Sequence, residues 1–139
     1  MARICGVELR SSEAVVVVAD FDDGNISHVD LKTRKISLGD DEKTDSIKSF
    51  YNSFCKFIGD NHIEVVAVKK RAKKGTRAGG AVSFKLESLI QLCEQAEVEL
   101  LSPQLIAATH KREKFIVPKA LHAYQEQAFL TACCYSRKK

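Results

Sequence analysis

The residues best suited to chemistry lie between Val65 and Gly80, in the run VVAVKKRAKKGTRAGG. An apolar segment leads directly into six cationic side chains within nine residues: Lys69, Lys70, Arg71, Lys73, Lys74 and Arg77. A buried strand ending in such a loop can hold a polyanion at a sheet edge, with arginine suited to two-pronged phosphate contacts. The alternative is a solvated loop that serves only solubility. Gly75-Thr76-Arg77-Ala78-Gly79-Gly80 lacks the Gly-Lys-Ser/Thr ending of a nucleotide-binding loop, and the basic run carries no aromatic side chain on which a base could stack. Other reactive types are scattered. The four histidines, His28, His62, His110 and His122, fall in different segments without zinc-ligand spacing. The five cysteines sit in apolar patterns with no CxxC pair and read as buried hydrophobes. Asp20, Asp22 and Asp23 read as turn residues, and Glu87 as a residue on the exposed face of a helix.

Strands and helices must position these groups. Ile4 to Leu9 and Ala14 to Ala19 are apolar, and the β-branched run Val15 to Val18 suits a strand covered on both faces. Asp22-Asp23-Gly24-Asn25 makes a turn, and Ile26 to Leu38 is expected to form one outer strand of an antiparallel meander. Ile47, Phe50, Tyr51, Phe54 and Ile58 recur at helical spacing behind a Thr44 cap. Ile63 to Val68 is a buried strand. Val82, Leu86, Leu89, Ile90, Cys93 and Ala96 mark a second helix, and Val98 to Leu101 a short strand. Ser102-Pro103 starts a helix reaching about Thr109, and Pro118 is expected to open the last helix. The pattern predicts a mixed five-stranded sheet flanked by helices, three antiparallel strands first and then two parallel ones.

Bulk properties set the frame. With 139 residues, 45% hydrophobic and 29% charged, the chain reads as one ordinary globular domain. Its net charge of +4 implies no general affinity for polyanions, so local clustering matters more than the total. The first ten residues, MARICGVELR, lack the apolar core of a signal peptide, and no apolar run is long enough for a bilayer. A cytoplasmic protein without membrane contact is expected.

This order of elements resembles the ribonuclease H-like fold, and within it the RuvC-type Holliday-junction resolvases. Ile4-Cys5-Gly6-Val7-Glu8 is similar to that family's first strand, an apolar run with glycine followed by an acid. Val65 to Lys69 and then Lys73 to Leu86 are similar to its fourth strand and basic loop entering a helix, and Glu126 to Ala132 to its closing helix. The resemblance implies a single ribonuclease H-like domain over residues 1–139. The chain also resembles a bacterial domain family of unknown function related to this fold, with a degenerate active site.

The family's chemistry uses several carboxylates that hold two divalent cations. The resemblance puts Glu8 at the first acidic position, but Lys69 at the fourth-strand glutamate and Tyr124 and Gln127 at the last-helix acids, with Glu126 the nearby carboxylate. An ammonium about 4 Å from a divalent ion repels it by roughly 8 kcal/mol at an effective dielectric near 20, where a glutamate would attract it. Glu8 and Lys69 are therefore expected to end adjacent parallel strands as an ion pair, with no metal bound. The resulting reading is a non-catalytic domain that binds nucleic-acid phosphates through Lys69, Lys70, Arg71, Lys73, Lys74 and Arg77. Two alternatives remain open: a divergent magnesium-dependent nuclease built on Glu8 and Glu126, and an oligomeric protein, such as a homodimer, with no nucleic-acid role.

Overall fold

The computed structural model describes residues 2–71 and 80–138. Strand β1 spans Ala2–Arg10 and turns at Ser11-Ser12 into β2, Glu13–Asp22. Nine residue pairs, from Ala2↔Phe21 to Arg10↔Glu13, join them as an antiparallel hairpin. Asp23 and Gly24 make the next turn at φ of 48° and 83°, a left-handed region that glycine enters without penalty. Strands β3, Asn25–Val29, and β4, Lys35–Ser37, follow. Helix α1 is Thr44–Asp60, β5 is Val65–Lys69, α2 is Ala81–Gln91 and β6 is Glu97–Leu101. Helix α3 spans Pro103–Glu113, a 3-10 turn Ala123–Gln125, and α4 Glu126–Ser136.

Among the described residues these strands form one sheet in the order β3-β2-β1-β5-β6, with β4 also beside β2. Strands β3 and β4 are antiparallel to β2, and β5 and β6 extend the sheet in parallel from β1. The expected three-then-two arrangement is present with a sixth, short strand. Ile26 to Leu38 is not one strand: β3 covers Val18 to Asp22 of β2, and β4 covers Glu13 to Val15. Between Val29 and Lys35 five residues pass only two of β2, so the edge bulges outward before it re-forms.

Alternation along the strands builds a core on each face. Cys5, Val7, Val16, Val18, Val66 and Val68 pack with Phe50, Phe54, Ile58, Leu86 and Ile90 of α1 and α2. Ile4, Val15, Val17, Val65 and Ala67 pack with Ile106 of α3 and Ala128, Phe129 and Ala132 of α4. Each large side chain so buried contributes about 1.5–3 kcal/mol of transfer free energy.

Four helix boundaries differ from expectation. Helix α2 stops at Gln91, so Cys93 and Ala96, expected on it, lie in the connection to β6. Helix α1 includes Thr44, and Lys43 precedes it without a side-chain cap. Ser102 caps α3 as expected, accepting from the Leu105 amide, but the helix continues to Glu113 and ends at Lys114 in the left-handed region. Pro118 does not open α4. It starts a turn closed by Leu121 N to Pro118 O at 3.1 Å, and the Gln125 side chain accepts from the His122 amide at 3.0 Å. Gln125 also donates to the carbonyl of Val16, 3.4 Å away, which ties this segment to the sheet before the helix begins.

Candidate functional site

The last residues of β5 and the second half of β1 meet under α4. The parallel register runs from Ile4↔Val65 to Val7↔Val68, so Glu8 and Lys69 are one step beyond it on adjacent strands. Both belong to the strand positions that alternate toward α4. Lys69 Nζ lies 3.8 Å from Glu8 Oε2, the ion pair expected from the sequence. Lys69 ends β5, whereas β1 continues two residues past Glu8 to Arg10. The same ammonium donates to Gln127 Oε1 at 3.0 Å.

Gly6 makes this meeting possible. A Cβ at that position would fall on the Ala128 carbonyl oxygen and within 3.0 Å of the Ala132 amide nitrogen. Only glycine lets the α4 backbone come this close to β1. One turn along, the Thr131 hydroxyl donates to the Gln127 carbonyl at 2.7 Å.

The cationic residues diverge beyond β5. The Lys70 amide continues the sheet by donating to the Leu101 carbonyl at 2.8 Å, and its side chain is exposed. The Arg71 amide donates to Glu87 Oε2 at 3.2 Å. Glu87 is buried, contrary to the exposed position expected for it, because its carboxylate satisfies the main chain leaving β5. The Arg71 Nε is itself buried without a partner. Lys73, Lys74 and Arg77 lie outside the described residues. Glu126 is exposed at the first residue of α4.

A concavity of about 330 Å³ lies on the β2 side of Glu8, lined by Arg10, Ser11, Glu13, Val15, Lys35 and Tyr124. Val15 is the register partner of Glu8, which fixes the relation of concavity to ion pair. Lys35 Nζ sits 3.8 Å from Glu13 Oε2 and 4.6 Å from the centre of the Tyr124 ring. Tyr124 stacks on His122 with centroids 5.4 Å apart. Sequence reasoning missed Arg10 and Lys35, and saw Gln127 only as a lost acid. Lys35 pairs with Val15 in register and reaches Glu13 only diagonally, a relation that the sequence pattern does not display.

The remaining reactive groups have structural surroundings. Arg3 Nε and Nη2 donate to the two Asp20 oxygens at 2.8 and 3.0 Å, and this guanidinium holds the Asp20 carboxyl below its usual range. All five cysteines are buried and free. Burial pushes the Cys133 thiol up to about 12 and the Cys93 thiol up to about 11, so both are protonated at neutral pH. Among the described residues, no three His, Cys, Asp or Glu side chains converge where they could hold a metal ion. No helix among them is long and apolar enough to cross a membrane.

Comparison with known proteins agrees with this architecture. The chain resembles Thermus thermophilus RuvC in complex with a Holliday junction substrate, at 9% identity and a TM-score of 0.70, covering 98% of this chain and 93% of that one. A second Thermus thermophilus RuvC structure gives 12% identity and a TM-score of 0.68, covering 97% and 95%. The fowlpox virus resolvase with Holliday junction DNA gives 14% and 0.57, covering 96% and 95%. At these identities the likeness establishes a RuvC-like, ribonuclease H-type fold. No curated protein matches the chain in sequence. A family model does match over residues 2–135, and the chain belongs to that family, DUF3010, described as a protein of unknown function.

Proposed function

We propose that this RuvC-like domain binds nucleic-acid backbone phosphates and does not cleave them. The observation that carries the reading is the Glu8–Lys69 contact of 3.8 Å with Gln127 on its other side. Two-metal hydrolysis needs carboxylates that converge on two divalent ions. Here one carboxylate is neighboured by an ammonium and a neutral amide, a donor set that does not fit such ions. Glu126 does not repair it, being exposed and in no described group of potential metal ligands. No step of a metal-dependent reaction follows from these residues.

Binding is supported by the charges around the pair. Lys70 and Arg71 leave β5 beside Lys69, Arg10 ends β1 nearby, and the sequence adds Lys73, Lys74 and Arg77. A surface of this kind attracts phosphates through charge, with little sequence preference. Two of the structures that share the fold hold Holliday junctions, which makes branched DNA the first ligand to try.

The deciding experiment titrates the protein against labelled four-way junction, duplex and single-stranded DNA and RNA at low salt, then repeats the junction titration with magnesium or manganese. The reading expects salt-sensitive binding without cutting. Metal-dependent cutting abolished by Glu8→Gln would establish the nuclease alternative instead, and absence of binding to every probe would remove the nucleic-acid role.

A further inference from the structure

We propose that Lys69 is the resident cation of the cluster between β1, β5 and α4. Its ammonium fills the charge position that a divalent ion would otherwise take, keeps such ions out, and presents a remaining N–H to one phosphodiester oxygen. The anion is then held there without metal. The phosphate contact rests on the binding function proposed above; the exclusion of divalent ions does not.

The geometry separates this lysine from a solvated one. Its side chain turns under α4 and retains 22% exposure, where a strand-end lysine could extend into water. An ammonium has three donors. One is used on Gln127 Oε1 at 3.0 Å, and Glu8 Oε2 at 3.8 Å is an ion-pair distance rather than a hydrogen bond. Donor capacity therefore remains on a partly exposed ammonium.

The charge count points the same way. Glu8 and Lys69 sum to zero, and Gln127 accepts a hydrogen bond without adding negative charge. A divalent ion entering this cluster would meet one carboxylate already neutralised. A singly charged phosphate would instead meet an ammonium at the end of the strand from which Lys70 and Arg71 continue. The close approach of α4 at Gly6 sets the Gln127 backbone over β1 and β5, and the Gln127 side chain then accepts from Lys69, so the ammonium is positioned before any ligand arrives.

Manganese titration followed by electron paramagnetic resonance tests the exclusion without nucleic acid. The native protein should show no saturable site that depends on Glu8. Lys69→Glu should gain one, at least about tenfold tighter than any native binding, and Glu8→Gln added to Lys69→Glu should abolish it. Should Lys69→Glu fail to fold by circular dichroism, Lys69→Gln replaces it, with a smaller gain expected. Native Mn²⁺ binding that Glu8→Gln removes, or a folded variant that gains nothing, overturns the assignment.

The phosphate contact is read with a labelled DNA duplex at fixed ionic strength. Binding by the native protein should be the same in EDTA and in magnesium, and Lys69→Gln should weaken it about threefold to tenfold. Equal affinity in Lys69→Gln and native protein overturns the contact. Native protein that binds no duplex overturns both the contact and the nucleic-acid role, while the manganese result still decides whether Lys69 fills the cation position.

Discussion

Toward its first end, β1 presents Arg3, whose guanidinium meets both oxygens of Asp20 at 2.8 and 3.0 Å and the Asn61 carbonyl at 3.0 Å. Toward the other end, Glu8 meets one ammonium at 3.8 Å, and that ammonium makes one hydrogen bond, to Gln127. The two pairs are almost equally covered, with side-chain exposures of 28% and 17% for Arg3 and Asp20 against 15% and 22% for Glu8 and Lys69. Burial does not distinguish them; saturation does. The Arg3 fork engages Nε and both terminal nitrogens within the protein, as suits a pair that pins β1 to β2 and to the end of α1. The Lys69 ammonium is only partly used, and it sits at the sheet end where the basic run begins. A satisfied ion pair has little to offer a ligand, whereas a loose one can exchange partners at small cost.

The strongest way to break this contrast is Gly6→Ala. The added methyl must push α4 off β1, because the atoms in its way are backbone. The expected loss is about 3 kcal/mol, at the upper end of overpacking costs, read as a lower midpoint in urea. The move should separate Gln127 from Lys69 while leaving Arg3–Asp20 intact. A change below about 0.5 kcal/mol would mean that α4 yields easily and that the Lys69 site is not rigidly framed.

Arg3→Ala attacks the saturated pair. It removes a two-pronged charged contact and a bond to Asn61, so a loss of about 2 kcal/mol is expected. The sign of the pH effect follows from Asp20, whose folded carboxyl is held below its unfolded value by Arg3. The unfolded chain binds the proton first, so this contribution is present above about pH 4 and is lost as pH falls through the lower folded value. Urea midpoints of native and Arg3→Ala protein should therefore converge on acidification below pH 4. Parallel curves would show that the pair does not account for the loss.

Glu8→Gln sharpens the contrast from the other side. The ion pair is long and partly exposed, so its removal should change stability by less than about 1 kcal/mol. Duplex binding should tighten by about threefold, since a negative charge has left the neighbourhood of the bound phosphate. Weaker binding would show that Glu8 positions Lys69 for the ligand rather than competing with it.

The sequence made β1, β2, α1 and β5 readable because their signals are local: β-branched runs for the covered strands and helical spacing of aromatic residues for α1. The Glu8–Lys69 pair was legible only through the order of strands, since 61 positions separate its members and no local pattern connects them. Features set by distant partners were not legible. Glu87 looks like a surface residue until its carboxylate is seen capping the Arg71 amide. Pro118 has the look of a helix start, yet Gln125 binds the Val16 carbonyl and delays the helix until Glu126. The break between β3 and β4 depends on how many residues pass β2 on its far side, which alternation of residue types does not encode. At the site, Gln127 was visible as a missing acid, but its bond to Lys69 required α4 to be placed against Gly6.

The smallest effect on stability is expected from Lys73→Ala, Lys74→Ala and Arg77→Ala together. All three belong to the basic run of the sequence, and surface-type charges contribute little to folding in general, so the unfolding free energy from urea titration should change by less than about 0.5 kcal/mol. Their effect on binding should be large, which is what makes the variant informative. With about four phosphates engaged by the native protein, log affinity for duplex DNA should fall with log salt at a slope near −3.6. Losing three of those contacts should bring the slope to about −0.9 and weaken all sequences alike, as phosphate contacts do. The contact that remains would be the one at Lys69. A triple variant that keeps the native slope would assign the phosphates to Arg10 and Lys35 at the concavity and to Lys70 and Arg71 after β5. A slope that disappears entirely would show that the loose Glu8–Lys69 pair holds no phosphate by itself, and that its openness is not sufficient for binding.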